Sequence, residues 1–376
     1  MSKYSPFANL DIGMLKSTYA IPQLPPRDDL ESREVMRELV RANRHLAELK
    51  GRVATIPNPE ILIGTLSLQE AKASSEIENY VTTQDELFQM NLFPEGPLSP
   101  AAKEVSRYVD ALNLGYDQLQ AKQGLITNNA LLEMFRLLKN TTDGFRSVGG
   151  TVIKNDATGA LVYVPSQDGG EITRHMTGLE RFINDETLCD LDPLIKMALI
   201  HHQFESIHPF PDGNGRIGRI LNVLYLVKTG LLDTPVLYLS RYVTTHKSEY
   251  YRLLQSVRDT GEWQDWIIFI LKAVAETSIQ TLELIEGIKE WMSRYKIILR
   301  EDHGNIYSQD LLNNLFRHPY TKIDFVRADL GITRQTASKY LDELAQSGLL
   351  EKHVSGRNNY YINRPLVDLF LKVSGS

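Results

Sequence analysis

HPFPDGNGRIGR, His208 to Arg219, holds one imidazole, one carboxylate, two guanidinium groups and three glycines within twelve residues. Only Phe210 and Ile217 are strongly apolar, so the stretch is not built to fill a core. Upstream, LIKMALIHHQFESI (194–207) has a helical pattern. His208 precedes a proline, a position that avoids the α region, so the helix is predicted to end there. Downstream, Arg216 starts a second apolar-periodic segment, RIGRILNVLYLVKTG. Asp212-Gly213-Asn214-Gly215 thus sits before a helix N-terminus, where unpaired N–H groups and the helix dipole favour an anion. Glycine lets the backbone close on a phosphate. Arg216 and Arg219, at i and i+3, point to one side and can fork onto phosphate oxygens. Asp212 is a hard oxygen ligand suited to Mg²⁺ shared with phosphates. His208 is the nearby group able to accept a proton at neutral pH. The segment predicts a nucleoside triphosphate beside a base that deprotonates an attacking hydroxyl.

The rest of the chain gives this turn its setting. At 376 residues, two or three domains are expected. Hydrophobic residues at 42% and charged residues at 23% fit a soluble globular protein, and a net charge of −6 leaves nucleic-acid contact only to local patches. A single cysteine, Cys189, excludes an intramolecular disulfide and fits a reducing compartment; it reads as a packing residue. The first twenty residues lack a signal-peptide core, and the longest strongly apolar run, WIIFIL at 266–271, is too short to span a membrane. A cytoplasmic protein without membrane contact is expected.

Proline-rich joints at Ile21–Asp29, Ile56–Glu60 and Phe93–Pro100 separate helical patterns, including LESREVMRELVRANRHLAELKG, which stops at Gly51. Thr127 is placed to cap a later helix. TVIKNDATGALVYVP (151–165) switches to β-type residues around Thr158-Gly159, a hairpin signal. Helical patterning then runs through SEYYRLLQSV, EWQDWIIFILKAVAE and LIEGIKEWMSRY. From Ser308, three short helical patterns precede LLEKHV, a GRNN turn and YYIN, which is a winged helix-turn-helix pattern. The expected division is 1–100, an N-terminal helical region; 101–300, the core with the site; and 301–376, the winged domain.

HPFPDGNGRIGR resembles the Fic-family motif His-x-Phe-x-Asp/Glu-Gly-Asn-Gly-Arg-x-x-Arg at every fixed position. The resemblance implies a mainly α fold, a Fic helical core with a β-hairpin flap, and ATP-dependent transfer of AMP to Ser, Thr or Tyr hydroxyls of proteins. Family members that phosphorylate replace Gly-Asn-Gly with bulkier or charged residues, so Gly213 and Gly215 favour AMP transfer. Carried onto this sequence, His208 would be the general base, Phe210 the anchor of the loop and Asp212 the Mg²⁺ ligand. Pro209 lies in the same loop, and Gly213, Asn214 and Gly215 would line the phosphate nest. Arg216 and Arg219 would neutralise the triphosphate. Thr151 and Val152 begin the flap, which would hold a target peptide by strand addition. Tyr250 and Tyr251 in SEYYRLL would flank the adenine, although tyrosines on a helix are more often half-buried core residues.

SSEIEN, Ser74 to Asn79, places Ser74 and Glu78 at i and i+4 of a helical stretch, hence on one face. It resembles the inhibitory motif Ser/Thr-x-x-x-Glu-Gly/Asn of the same family, in a class whose inhibitory helix precedes the core. The resemblance implies that Glu78 pairs with Arg219 and blocks the γ-phosphate, since a carboxylate competes with phosphate for one guanidinium fork. The same glutamate could act as a base for removing AMP. The family leaves a homodimer open.

Other readings are weaker. Glu205-x-x-His208 is half of a di-iron signature with no second copy, so His201 and His202 read as helix-face residues. No Walker loop is present. Arg146, in GFR, either serves the site or braces the hairpin. Arg334, Lys339 and Arg357 could face DNA phosphates, but residues 308–364 hold eight Lys and Arg against six Asp and Glu, so protein docking or dimer contact stays equally open. The competing function is a nucleotide-sensing transcriptional regulator whose output is the winged domain.

Overall fold

The structure, a computed structural model, describes residues 17–56, 60–92, 98–154, 158–355 and 358–374. Asn155 of the flap and Arg357 of the C-terminal turn lie outside them. In chain order the elements are α1 (Arg33–Val53), α2 (Glu60–Ile77), α3 (Gln84–Leu92), α4 (Pro100–Ala121) and α5 (Asn128–Lys139). A hairpin follows, β1 (Ile153–Lys154) and β2 (Leu161–Tyr163), then α6 (Gly169–Asn184), α7 (Pro193–Ile207) and α8 (Asn214–Lys228). Next come α9 (Ser240–Thr245), α10 (Lys247–Thr260), α11 (Gln264–Glu301) and α12 (Gln309–Arg317). The chain closes with β3 (Tyr320–Lys322), α13 (Ile323–Leu330), α14 (Arg334–Gln346), β4 (Glu351–Ser355), β5 (Asn358–Ile362) and α15 (Arg364–Ser374). The fold is mainly α, as the patterning predicts.

Contacts divide the chain into two interleaved units, one of Met1–Leu39, Asp110–Thr229 and His246–Leu271, the other of Val40–Val109, Gly230–Thr245 and Lys272–Ser376. The first unit is built on α7, whose residues from Leu194 to Ile207 are all buried. A helix buried on every side is a core rod rather than a surface helix. Its polar side chains are therefore tied internally. His201 Nε2 lies 2.7 Å from the Tyr250 hydroxyl, and His202 Nε2 lies 3.2 Å from the Leu254 carbonyl. Helix α8 packs directly on α7, and Gly218 permits the close approach. A Cβ there would stand 2.9 Å from Glu205 Oε1 and 3.2 Å from Phe204 Cδ1. Helix α5 is amphipathic, with Leu131, Met134, Phe135 and Leu138 buried, and Thr127 caps it by accepting the Ala130 N–H at 3.2 Å.

The hairpin pairs Ile153 with Tyr163 and Lys154 with Leu161, with an irregularity between Ile153 and Lys154. Its strands are two and three residues long, far shorter than the β-type run in the sequence. Gln167 holds its base: the side-chain amide donates to the carbonyls of Thr151 (3.0 Å) and Pro165 (2.6 Å) and accepts the Gly150 N–H (2.6 Å).

In the second unit, Glu70 of α2 is buried and accepts from the Tyr108 hydroxyl at 3.1 Å, the Ser240 N–H at 2.8 Å and the Ser240 hydroxyl. Three donors satisfy the buried carboxylate. Helix α11 is one element of 38 residues, where the sequence suggests successive segments. Gly287 does not break it; a Cβ at Gly287 would stand 2.8 Å from Leu369 Cδ2 of α15, so the glycine serves packing. The C-terminal strands form an antiparallel sheet in the order β3-β5-β4 beside α12, α13 and α14. Exposed Arg334 is 2.9 Å from Asp324, and Lys352 is 2.7 Å from Asp342.

Candidate active site

The turn between α7 and α8 is fixed from both ends. The helix stops at Ile207 because His208 adopts the left-handed region (φ 50°, ψ 59°), its N–H donating to the Phe204 carbonyl at 3.0 Å. A residue with a Cβ pays about 1–2 kcal/mol to sit there. Helix α8 starts at Asn214, two residues earlier than its apolar periodicity suggests. The reason is Asn214 itself, which accepts the Phe210 N–H and donates to the Phe210 carbonyl, both at 2.8 Å. The side chain of Asn214 thus closes the loop, so its backbone is what it can offer to a phosphate. Gly213, at φ 81°, is the N-cap and brings no side chain to the first-turn amides. The intrahelical ladder begins with Ile217 N–H to Gly213 carbonyl at 3.1 Å. An uncapped N-terminus of this kind can take an anion.

Phe210 pins the loop to the core. It is fully buried, stacked on Phe135 with centroids 4.1 Å apart and planes 8° apart, and tilted against Phe145 at 5.5 Å. Asp212 projects outward, 63% exposed, with Lys139 Nζ 2.7 Å from Oδ2 and Arg216 Nη2 3.7 Å from Oδ1. Burial pulls its pKa up, but Lys139, Arg216 and the Gly213 N–H outweigh it and hold the carboxyl below its ordinary value. Arg216 is 0% exposed and Arg219 1%, so both guanidinium groups sit inside the first unit rather than on its surface. Gly215 and Pro209 complete the turn.

His208 is half-buried, with Nδ1 sealed from solvent. Desolvation, then the guanidinium groups of Arg146 and Arg258, push its pKa down to about 3; the Glu205 carbonyl and Asp212 offset this only in part. The ring is neutral at neutral pH and holds a lone pair for a proton. Arg258 lies over the Tyr163 ring at 4.0 Å and donates to the Ser206 hydroxyl at 3.0 Å. The Tyr163 hydroxyl donates to the Ser206 carbonyl at 2.6 Å, joining the hairpin to the last turn of α7.

Three family models match this chain: Fic/DOC family N-terminal over residues 36–117, Fic/DOC family over 125–226, and the C-terminal domain of SoFic-like protein adenylyltransferase over 291–366. The chain belongs to the Fic/DOC family. Protein adenylyltransferase Fic of Drosophila erecta is 30% identical over 162 residues, 42% of this chain and 29% of that protein. Protein adenylyltransferase fic-1 of Caenorhabditis elegans is 32% identical over 99 residues, 26% of this chain and 18% of that protein. The chain thus spans less than a third of the length of these relatives. Among solved structures, a Fic family protein from Desulfovibrio desulfuricans G20 shares the fold, with TM-score 0.55 and 17% identity over 88% of this chain and 96% of its own. Fic-1 (aa134–508) from C. elegans gives TM-score 0.53 and 18% identity over 67% of this chain and 74% of its own.

Within the Fic core the two adjacent tyrosines separate. Tyr250 is buried, bonded to His201 and set among Trp266 and Phe269, so its ring is part of the core rather than a wall for a base. Tyr251 is 43% exposed and has a ring surface that a planar ligand could meet. Thr151 and Val152, ahead of β1, are half-buried. In the second unit, Ser74 is buried on α2, but Glu78 is not on the helix face that the i, i+4 spacing suggests. The helix ends at Ile77, and Glu78 sits half-buried in the terminating turn, its N–H bonded to the Ser75 carbonyl at 3.0 Å. Asn79 is left-handed at φ 65°, which is how helices often stop and why Asn or Gly suits that position.

In the sequence Arg146 is ambiguous, and Gln167 and Arg258 carry no motif. Their roles depend on contacts with distant segments, and no local spacing reveals them.

Three imidazoles, His201 and His202 buried and His208 half-buried, predict how stability responds to acid. His201 is pushed down to about 3 by desolvation and Arg219, and His202 is pushed down by desolvation and Arg258. In the unfolded chain each protonates near its ordinary value of 6.5; folded, each stays neutral far below that. The unfolded state therefore binds more protons, and stability, level above about pH 6.5, falls as pH drops towards 3. The slope approaches about 1.4 kcal/mol per pH unit for each fully buried imidazole. Urea midpoints at pH 5.5 should lie clearly below those at pH 7.5; equal midpoints would refute the neutral assignment.

Proposed function

We propose that this chain is an ATP-dependent protein adenylyltransferase whose base is His208. The observation that carries the reading is an imidazole in the left-handed turn that ends α7, six residues before an uncapped glycine-led helix that carries two buried arginines. The target is a Ser, Thr or Tyr hydroxyl presented on the flap as an added strand. Its oxygen attacks the α-phosphorus in line. One P–O bond forms as the bond to the bridging oxygen of the pyrophosphate breaks, and the hydroxyl proton passes to His208 Nε2. Nδ1 is sealed from solvent, so Nε2 is the ring nitrogen proposed to take the proton. Arg216, Arg219 and the first-turn amides of α8 hold the departing pyrophosphate charge.

Asp212 is the group that would hold Mg²⁺. It is ionised and outward-facing, and Lys139 already puts a positive charge on it. Among the described residues no cluster of three or more His, Cys, Asp or Glu is arranged to hold a metal. One carboxylate suffices for an ion whose other ligands are phosphates and water, and such an ion supplies charge neutralisation at the phosphates. Glu78 restrains the reaction; the sequence motif and the Asn79-terminated turn support this.

ATP labelled at the α-phosphate should transfer label to protein, and ATP labelled at the γ-phosphate should not. Glu78→Gly should raise the α-label. Label from the γ-position would overturn the reading. No comparable observation favours the transcriptional regulator: Arg334 is paired with Asp324, and Arg357 lies outside the described residues.

A further inference from the structure

Arg146 lies in the loop between α5 and β1 and is 5% exposed. Its Nε donates to the His208 carbonyl at 2.8 Å, its backbone N–H to the Pro209 carbonyl at 2.8 Å, and its Nη2 to the Ser166 carbonyl at 3.1 Å. The His208 carbonyl is one left without a ladder partner where α7 stops, and Pro209 follows it in the turn. The third lies just beyond β2, at the base of the flap. The Arg146 main chain is itself clamped: a Cβ on Gly169, at the start of α6, would stand 3.2 Å from the Arg146 carbonyl and 2.9 Å from Ser147 Cα. Among the described residues, the acceptors of this guanidinium are carbonyl oxygens and not a carboxylate. A buried cation without a counter-ion is a costly way to stabilise a loop. It does suit a turn that must keep a non-glycine residue left-handed in front of a proline (φ 50° at His208).

We propose that Arg146 is a positioning residue for AMP transfer, holding the left-handed His208 turn and locking it to the end of the flap, so that the base and a flap-bound target strand share one frame. This rests on His208 being the base proposed above. Arg146 does not touch the reacting atoms; it acts through the main chain that carries the imidazole. Lysine keeps the charge but, as a single point donor, cannot fork to the His208 and Ser166 carbonyls together.

The test uses the full chain with Arg146→Lys and Arg146→Gly. For Arg146→Lys, kcat for AMP transfer should fall about 10²-fold, the effect of a misplaced group, with KM for ATP within about twofold of the parent. Guanidinium added to Arg146→Gly should restore part of the rate and should restore none to His208→Ala. If Arg146→Gly does not fold, the lysine variant decides alone. Near-parental kcat in Arg146→Lys overturns the proposal, as does a loss carried by KM for ATP. A second readout needs no activity: the NMR signals of the His208 ring, in isotope-labelled protein without nucleotide, should shift or broaden in Arg146→Lys. If neither the parent nor Glu78→Gly transfers AMP, the adenylyltransferase reading fails, and these signals decide on Arg146; unmoved ring signals overturn its role.

Discussion

If His208 is the base proposed above, His208→Ala should lose AMP transfer by about 10² to 10⁴-fold, the contribution of a positioned general base, while the chain should stay folded and still bind ATP. The two effects separate because the imidazole does not hold the turn together. Its main chain does, through Phe204 on one side and Arg146 on the other. His208→Gly makes the same point from the side of stability. The left-handed conformation at φ 50° suits glycine, so this variant should unfold at higher urea than the parent, by about 1 kcal/mol, and transfer no AMP. A catalytically dead protein more stable than its parent is the signature of strain kept for function. Full activity in either variant would remove His208 from the reaction.

Phe210→Ala should be among the most damaging single changes in the first unit, at about 3–5 kcal/mol of stability, read from urea unfolding. The ring is buried against Phe135, Phe145 and Phe204, and few atoms around it can move to fill the space. Truncation removes the transfer free energy, the stacking and the anchor of the loop together. Because Asn214 closes its side-chain ring on the Phe210 main chain, loss of the anchor also loosens the start of α8. AMP transfer should fall further than the folded fraction does. A stability loss under about 1 kcal/mol would mean that the loop is held elsewhere.

How far the sequence could be read follows from the range of each interaction. Proline after His208 and glycine at 213 are local signals, and they mark the break between α7 and α8 correctly. The start of α8 is misplaced by two residues because Asn214 and Gly215 carry no apolar periodicity; a side-chain bond to Phe210, four residues back, sets it. Ser74 and Glu78 have helical spacing, but Asn79 ends the helix before Glu78 is reached, and periodicity does not register a left-handed stop. Tyr250 and Tyr251 differ by about 100° around one helix, so adjacency in sequence assigns one to the core and the other to solvent without saying which. Arg146 contacts a carbonyl 62 residues away, and its surroundings in GFR hold no trace of that.

The central claim is that one turn carries both the proton acceptor and the cradle for the triphosphate. The most direct measurement is a titration with Mg²⁺ and ATP followed at the backbone amide signals of the labelled full chain. The signals of Asn214, Gly215 and Arg216 should move first and furthest, saturably, and should do so equally in His208→Ala. Saturable binding that leaves these three amides in place would contradict the claim.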